Sequence, residues 1–420
     1  MGLELPLVSA VMARLLNPDV NLAAYGGLVF PVALIVEAPI IMLLAASTAL
    51  AKDYASYLKM HRFMMVAGGL LTVLHALLAF TPLFDAVLVP LFNPPADVVE
   101  PARLGLQIML PWTWTIAYRR FHQGLLIRYG ASRAVGVGTG IRLLTVSSVA
   151  LLGLVVGSVQ GVVVATVAIA SGVTAEALYT GLRTRRLVKG PLRDEPPVDP
   201  ELSWAAFGRF YVPLALTSLL LLLVQPVGAA GIGRMPAALA SLAAWPVVNG
   251  IVFLLRSVGY AYNEVVVALM DEPDAQPMLK RFAWLMAGAV SAVALTVAAT
   301  PLSTWWFETV SGLRPELADL ARRAFWVGML WGPIDVFRNY VQGQLVFERE
   351  TRAISESVGL FLVVSAALMG LGVWLEPTDG LVVAMVAFLA GSLVQLAWLQ
   401  LRLRGVRAKR AVTAYTGGNA

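Results

Sequence analysis

The sequence predicts an all-α polytopic membrane protein with twelve transmembrane helices arranged as two six-helix lobes. Its 420 residues are 59% hydrophobic and 13% charged, whereas a soluble domain of this length carries about a quarter charged residues. The apolar runs approach or exceed the ~20 residues that a helix needs to cross a bilayer, and they do not alternate as barrel strands do. A further observation, an internal duplication, divides the predicted helices into two lobes.

The duplication is clearest where residues 112–134 are aligned with residues 331–353. At a shift of 219 positions the two stretches share 7 identities in 23 positions, where chance gives roughly one or two. Both contain a Trp, then an Arg, then a Gln-Gly pair at the same spacing. The same shift relates arginines and glycines farther along the chain, so we interpret the chain as two copies of one unit.

The apolar runs assign the boundaries of the elements. The twelve predicted spans cover residues 1–16, 22–50, 61–81, 104–127, 134–156, 161–182, 207–231, 238–268, 282–300, 323–346, 353–374 and 380–401. We therefore expect an N-terminal lobe at 1–186, a linker at 187–203, a C-terminal lobe at 204–405 and a tail at 406–420. The linker is charged and rich in proline, which predicts an extended, exposed segment.

Basic residues in the loops predict the orientation. Of the 31 Lys and Arg residues, 20 lie in one set of loops with the C-terminal tail, 6 in the opposite set and 5 inside spans. The asymmetry places both termini and the linker in the cytoplasm, in an inner or plasma membrane. Each copy has an even number of spans, so the two copies insert in the same orientation.

The first predicted span is short, with about 16 residues against the ~20 of a full crossing. In the second copy roughly twenty residues of helix precede Pro226, the counterpart of Pro6. The sequence therefore predicts that the native protein begins about a dozen or more residues upstream. It also predicts that helix 1 is shorter than helix 7.

Two six-helix lobes with a cytoplasmic linker resemble multidrug and toxic compound extrusion transporters and their superfamily, which also contains lipid-linked oligosaccharide flippases. Locally the sequence most resembles the progressive-ankylosis family. Three stretches carry this likeness: residues 66–80, the Gly-Leu-Leu-Ile-Arg turn at 124–128, and Arg338 followed by Gly343-Gln-Leu. The resemblance implies export of small polyanions such as pyrophosphate, nucleotide or citrate.

Charged residues inside predicted spans are the candidate functional residues, because each costs ~2.5–3.5 kcal/mol in mid-membrane without a partner or a wet cavity. They are Glu4, Glu37, Arg119, Arg120, Arg142, Glu176, Arg256, Glu264, Asp335 and Arg338. Arginine binds phosphate and carboxylate through a planar fork. We assign substrate binding to Arg119 and Arg338, with Gln123 and Gln342 beside them; the alternative is that these arginines only join helices.

Four residues are candidates for gating or coupling. Glu37 and Arg256 occupy equivalent positions, since 37 + 219 = 256, and a bond between them could open and close; the alternative is a static bridge or no contact. Asp335 could bind H⁺ or Na⁺, unless Arg338, three residues away on the same helix face, simply neutralises it. Glu4 precedes Pro6 in span 1, where the resembled transporters place a functional acid.

These features together predict a secondary active transporter working by alternating access on a small organic or phosphate-type anion. The alternatives are a proton- or sodium-coupled multidrug cation exporter and a lipid-linked oligosaccharide flippase. We expect no enzyme activity, because no metal-ligand cluster and no nucleophile–base spacing stands out. We also expect no cofactor beyond a coupling ion, no nucleic-acid partner despite the net charge of +6, and a monomer in the bilayer.

Overall fold

A computed structural model describes residues 3–260, 262–376 and 379–417, with side chains up to residue 408. The described residues contain helices and no strand. The first half contains α1 Glu4–Met12, α2 Pro18–Ala24, α3 Phe30–Glu37, α4 Leu43–Leu50, α5 Tyr54–Phe80, α6 Val89–Phe92, α7 Ala96–Ile108, α8 Leu110–Arg128, α9 Ser132–Val156, α10 Gly161–Lys189 and α11 Pro191–Asp194. The second contains α12 Trp204–Leu222, α13 Val224–Ile232, α14 Ala238–Tyr260, α15 Tyr262–Leu269, α16 Ala275–Ala299, α17 Leu302–Thr304, α18 Pro315–Gly328, α19 Trp331–Phe347, α20 Thr351–Leu375 and α21 Gly380–Gly417. Short π-helical segments occur at Tyr25–Val29, Phe84–Leu88 and Trp305–Val310.

Each of the twelve predicted spans falls on helices of the structure, which confirms the all-helical, multi-pass class. In the described residues, nine helices are long and apolar enough to cross a membrane. The other three predicted spans correspond to α1, α8 and α19. The first has only 9 residues, α19 has 17, and α8 carries three arginines, which lower its mean hydropathy. The duplicated Trp–Arg–Gln-Gly element therefore lies on helices that are atypical membrane spans.

The structure repeats its local geometry at the shift found in the sequence. Thr81 Oγ1 donates a hydrogen bond to the Leu77 carbonyl at 2.6 Å, and Thr300 Oγ1 donates to the Thr296 carbonyl at 2.6 Å. A π-helical segment follows each threonine, at Phe84–Leu88 and at Trp305–Val310. The duplication thus extends from residue identity to hydrogen bonding.

The glycine of each Gln-Gly pair allows two helices to approach closely. A Cβ on Gly124 would collide with Ser47 Oγ and the Leu44 carbonyl oxygen, so α8 packs directly on α4. A Cβ on Gly343 would lie 2.7 Å from Val266 Cβ, where α19 packs on α15. Small residues at helix contacts are the usual means of close packing in membranes. The two glycines therefore have a structural role that the repeat preserves.

The chain forms two compact units. The first comprises Leu3–Arg234 with Ala238–Pro246, and the second comprises Met235–Ala237 with the described residues of Val247–Ala420. In the first unit, α8 and α10 form the centre, packed on α4, α5 and α9. In the second, α19 and α21 hold the corresponding place, packed on α15, α16, α18 and α20.

The predicted linker is anchored rather than wholly extended and exposed. Helix α10 continues to Lys189, the short α11 follows, and Leu192 is buried. The buried carboxylate of Asp53 accepts hydrogen bonds from the backbone N–H groups of Ser56 at 2.8 Å and Val198 at 2.9 Å. A single carboxylate therefore caps α5 and fixes the linker, which composition alone does not indicate.

This anchor predicts a pH-dependent contribution to stability. Burial acts to raise the pKa of Asp53, but the hydrogen bonds from Ser56 and Val198 outweigh burial and lower the pKa below its ordinary value. The stabilisation is therefore present above the ordinary Asp pKa and lost as pH falls through the lowered pKa. We expect Asp53→Asn to lower the unfolding temperature in detergent at neutral pH, and the two proteins to converge in acid. A difference that stays constant across the pH range would contradict this prediction.

The second predicted span is broken in its middle. Helix α3 ends at Glu37, residues 38–42 form turns, and α4 begins at Leu43. Two side chains of α12 complete the break: Ser218 Oγ donates to the Ala38 carbonyl at 2.7 Å and Tyr211 Oη to the Pro39 carbonyl at 2.5 Å. Carbonyl groups freed by a break in a helix need such donors wherever water is absent.

Helix α1 has 9 residues, and α13, which lies at the equivalent positions of the second copy, also has 9. Helix α12 precedes α13.

Candidate functional site

Two buried groups of charged side chains lie at equivalent places in the two copies, one in each unit. The first cluster consists of Glu4, Glu37, Arg119, Arg120, Arg142 and Glu176. The second cluster consists of Arg256, Asp335, Arg338 and Gln395.

The first cluster is built around Glu176 on α10. Its Oε2 atom lies 3.0 Å from Nη1 of Arg119, and its Oε1 atom accepts a hydrogen bond from Gln123 Nε2 at 2.8 Å. Glu176 is 0% exposed and Arg119 is 1% exposed. Both predicted ligands of the first copy are thus bound to a carboxylate on a neighbouring helix, which is the structural alternative considered for them.

Arg142 on α9 extends this cluster to the start of the chain. It is hydrogen-bonded to the Glu4 carboxylate, and its Nη1 atom lies 3.6 Å from Glu176 Oε2. Glu4 is buried. A single arginine thus joins α1, α9 and α10.

The first cluster is balanced in charge. Glu37 is buried at the end of α3, where Arg120, Arg119 and Arg142 act on it electrostatically. By count the cluster contains three arginines and three carboxylates, because Glu4 and Glu176 complete the set. Such matching avoids the larger cost of a buried charge that is left without a partner.

The second cluster is not balanced. Arg256 Nε donates to Asp335 Oδ2 at 2.6 Å, and Arg338 Nη2 lies 3.1 Å from Asp335 Oδ1. Asp335 is completely buried, and the two arginine side chains are only 17% and 13% exposed. Two guanidinium groups share one carboxylate, so this cluster carries one positive charge in excess.

An aromatic side chain holds Arg256 in place. The guanidinium carbon lies 3.7 Å from the centre of the Trp331 ring, a cation–π contact. Trp331 is itself stacked on Phe388 of α21 at 5.8 Å. The Trp that opens the duplicated element therefore orients an arginine from α14.

Arg338 has unused hydrogen-bonding capacity. Its Nη1 atom lies 3.4 Å from Gln395 Oε1, a long hydrogen bond, and its buried Nε has no acceptor among the described atoms. Gln395 in turn donates to Ser357 Oγ at 3.3 Å. A guanidinium can donate five hydrogen bonds, so Arg338 has donors that the described atoms leave unsatisfied, as do the three arginines of the first cluster.

One of the differences between the copies changes the partner of the duplicated arginine. Glu176 and Gln395 are equivalent, since 176 + 219 = 395, and each lies against the duplicated arginine. Where the first copy has a carboxylate, the second has an uncharged amide. Glu176 is predicted inside a span, but no pattern along the sequence pairs it with Arg119. The shift of 219 relates Arg119 to Arg338 and Glu176 to Gln395.

The remaining predicted residues fall as follows. Gln342 is half-buried and takes no part in the bonds of Arg338. Arg256 is bound to Asp335, a partner that the sequence analysis did not assign. The predicted approach of Glu37 to Arg256 would join the two units and stays a prediction.

Comparisons with known proteins give the fold. No family model matches the sequence, and no curated protein matches it. A multidrug-resistance transporter of the multidrug and toxic compound extrusion family, in an inward-facing conformation, aligns over 97% of this chain and 96% of its own with 16% identity and a TM-score of 0.73. The lipid II flippase MurJ aligns over 94% and 86% with 12% identity and a TM-score of 0.67.

A third solved structure, from Pyrococcus furiosus, is similar over 97% of this chain and 95% of its own, with 15% identity and a TM-score of 0.54. It is described as a superfamily transporter whose binding pocket has reversed polarity. These three structures are of transporters and a flippase, not of enzymes. This chain is thus a multi-pass membrane protein with the fold of the multidrug and toxic compound extrusion transporters and their superfamily.

Proposed function

We propose that the protein is a secondary active transporter that exports a small organic or phosphate-type anion by alternating access, and that the second cluster binds the anion. The solved structures of the same fold are named as transporters and a flippase, which supports transport as the activity. The choice of an anion is supported by the charge of the site.

The surplus positive charge of the second cluster carries this proposal. An uncompensated charge within a membrane span costs several kcal/mol. An anionic ligand between Arg256 and Arg338 would supply the missing charge. It would also give the buried Nε of Arg338 the acceptor that it lacks among the described atoms, and guanidinium groups bind phosphate and carboxylate in two-point geometry.

The first cluster has a supporting role in this proposal. Arg119 and Gln123 are both bound to Glu176, so they contact a substrate only in a conformation in which Glu176 releases them. Gln342 lies one turn from Arg338 on α19 and is free of the ion pairs. Gln342 is therefore available to assist Arg338, whereas Gln123 is held by Glu176.

The cation-exporter alternative depends on Glu4 and Asp335. Glu4 is bound by Arg142, and Asp335 is bound by both arginines of the second cluster. A carboxylate held between guanidinium groups has its charge already matched. This arrangement favours anion binding over cation binding, with H⁺ or Na⁺ as candidates for the driving ion.

A lipid-linked substrate is the second candidate, and one observation favours it. The first unit has an apolar groove of about 480 Å³ between α5 and α12, beside the turn at 38–42. In this groove the centre of the Phe63 ring lies 4.8 Å from the centre of the Phe207 ring and 5.0 Å from that of Tyr211. An apolar groove of this kind suits a lipid chain, and the similar flippase acts on a lipid-linked molecule by its name.

Transport by purified protein in liposomes tests the proposal. We expect uptake of pyrophosphate, nucleotide or citrate, under an imposed H⁺ or Na⁺ gradient, to exceed uptake of cationic dyes. Arg338→Gln should reduce anion transport by about tenfold or more, because a charge-assisted hydrogen bond contributes roughly 1.5–3 kcal/mol. The matched control is Arg352→Gln, an arginine that is 86% exposed.

The outcomes separate the candidates. The anion proposal would be overturned if the unaltered protein transported dyes but no anion, and if Arg338→Gln transported dyes equally well. Movement of a fluorescent lipid-linked pyrophosphate between leaflets, abolished by Phe63→Arg in the groove, would favour the flippase.

We also propose kinship with the progressive-ankylosis family, a monomeric state, and an inner or plasma membrane location with both termini in the cytoplasm. The chain has no Cys, so single cysteines introduced at 189 and at 404 can be labelled selectively. Labelling of either from the outside of intact cells would contradict the orientation.

A further inference from the structure

The second unit has a notch between α16, α19 and α21, at the end where α21 becomes basic. Two adjoining cavities of about 290 and 270 Å³ form it and share four lining residues. Their lining includes Lys280, Phe347, Glu348, Leu403, Arg404 and Arg407. We call this the notch.

The notch is basic and its donors are already arranged. Three of its side chains are cationic, Lys280, Arg404 and Arg407, against the single acid Glu348. Arg407 donates to Gln344 Oε1, and Gln344 is only 2% exposed. With its amide oriented to accept, Gln276 Oε1 lies 2.6 Å from Arg407 Nη2. The buried amide of Gln344 and the exposed amide of Gln276 thus hold the Arg407 guanidinium in place at the rim of the notch.

The first copy fills the same place with aromatic side chains. Gln276, Lys280 and Tyr340 correspond at the shift of 219 to Tyr57, His61 and Phe121. These three rings pack together, with centroid distances of 5.6, 5.8 and 5.9 Å. Where the first copy has three packed rings, the second therefore has an open cavity lined by polar and positively charged side chains.

Residues of the types that are common at a membrane–water interface surround the notch. Its basic residues follow the apolar part of α21, and Leu403 and Phe347 supply an apolar floor. Trp284, one turn after Lys280 on α16, is 62% exposed, and the centre of its ring lies 4.7 Å from that of Phe337. Trp and basic residues together mark the level of the lipid headgroups.

We propose that the notch binds the phosphate headgroup of an anionic phospholipid. The phosphate is held by Lys280, Arg404 and Arg407, and the glycerol and first methylenes lie on Leu403 and Phe347. Basic residues near a membrane surface each contribute about 1 kcal/mol to binding anionic lipid, which is about fivefold in affinity. The apolar floor distinguishes a lipid from a free phosphate, which would gain nothing from it. This inference does not depend on the anion bound by the second cluster.

Native mass spectrometry of the protein released from micelles doped with phosphatidylglycerol or phosphatidylcholine tests the assignment. We expect phosphatidylglycerol to be retained preferentially. Lys280→Gln and Arg404→Gln should each weaken retention about fivefold, and the double variant about twenty-five-fold. Arg404→Lys should keep it, so that a loss in Arg404→Gln reports charge and not misfolding.

The first copy supplies the matched control. Arg185 is equivalent to Arg404, since 185 + 219 = 404, but it belongs to the copy in which the place is filled by rings. Arg185→Gln should leave retention unchanged. Equal retention of the two lipids, or an equal loss in Arg185→Gln, would overturn the proposal. Displacement of the lipid by inorganic phosphate at matched concentration would assign the notch to a free anion instead.

Discussion

Exchange of Gln395 for Glu is expected to remove most anion transport while leaving the protein folded. The glutamine oxygen lies 3.4 Å from Arg338 Nη1, and a carboxylate of the same shape would form the ion pair that Glu176 forms with Arg119 in the first copy. The second cluster would then be neutral, as the first is. With the surplus charge gone, we expect transport to fall by about tenfold or more.

The measurement is liposome transport beside the unfolding temperature of the same preparation. Ser357 Oγ accepts a hydrogen bond from Gln395 Nε2 at 3.3 Å and donates to the Ile354 carbonyl at 2.7 Å. In Gln395→Glu the serine hydroxyl can turn to donate to the new carboxylate instead. Gln395→Met, which has no charge, serves as the control for shape and should retain more transport than Gln395→Glu. Transport that is unaffected by the added carboxylate would show that the surplus charge is not what binds the anion.

The reciprocal change, Glu176→Gln, is expected to destabilise the protein instead. It removes the carboxylate shared by Arg119 and Arg142 and leaves an excess positive charge in a site that is 0% exposed. Breaking a buried pair by removing one partner costs about 3–5 kcal/mol. We expect a lower unfolding temperature in detergent and a reduced yield of folded protein.

Glu356→Gln is the matched control for this prediction. Its carboxylate pairs with Arg352 and Arg402 but is 30% exposed, and exposed pairs contribute less than about 1 kcal/mol. Equal loss of stability in the two variants would contradict the central place given to Glu176.

The helical fold and the duplication could be predicted from the sequence because both depend on patterns along the chain. Apolar runs gave the spans, and the shift of 219 relates Thr81 to Thr300 and Gly124 to Gly343, whose contacts the structure repeats. Helices α8 and α19, which fall short of the length or mean hydropathy of a typical membrane span, are informative as well, because they carry the duplicated arginines.

The partners of the charged residues could not be predicted in the same way. Spacing along α19 indicated that Asp335 and Arg338 share a face, but Arg256 reaches Asp335 from a helix 79 residues away. Arg142 likewise joins Glu4 across 138 residues. Composition gives the number of charges within the membrane, and only packing determines which of them are matched.

The break at residues 38–42 has a mechanical consequence. Two backbone carbonyls there depend on the hydroxyl groups of Ser218 and Tyr211 on α12. If α12 slides or tilts away, these oxygens must be solvated, since hydrocarbon offers no donor. Displacement of α12 would therefore leave two carbonyl oxygens without donors unless water replaced the two hydroxyl groups.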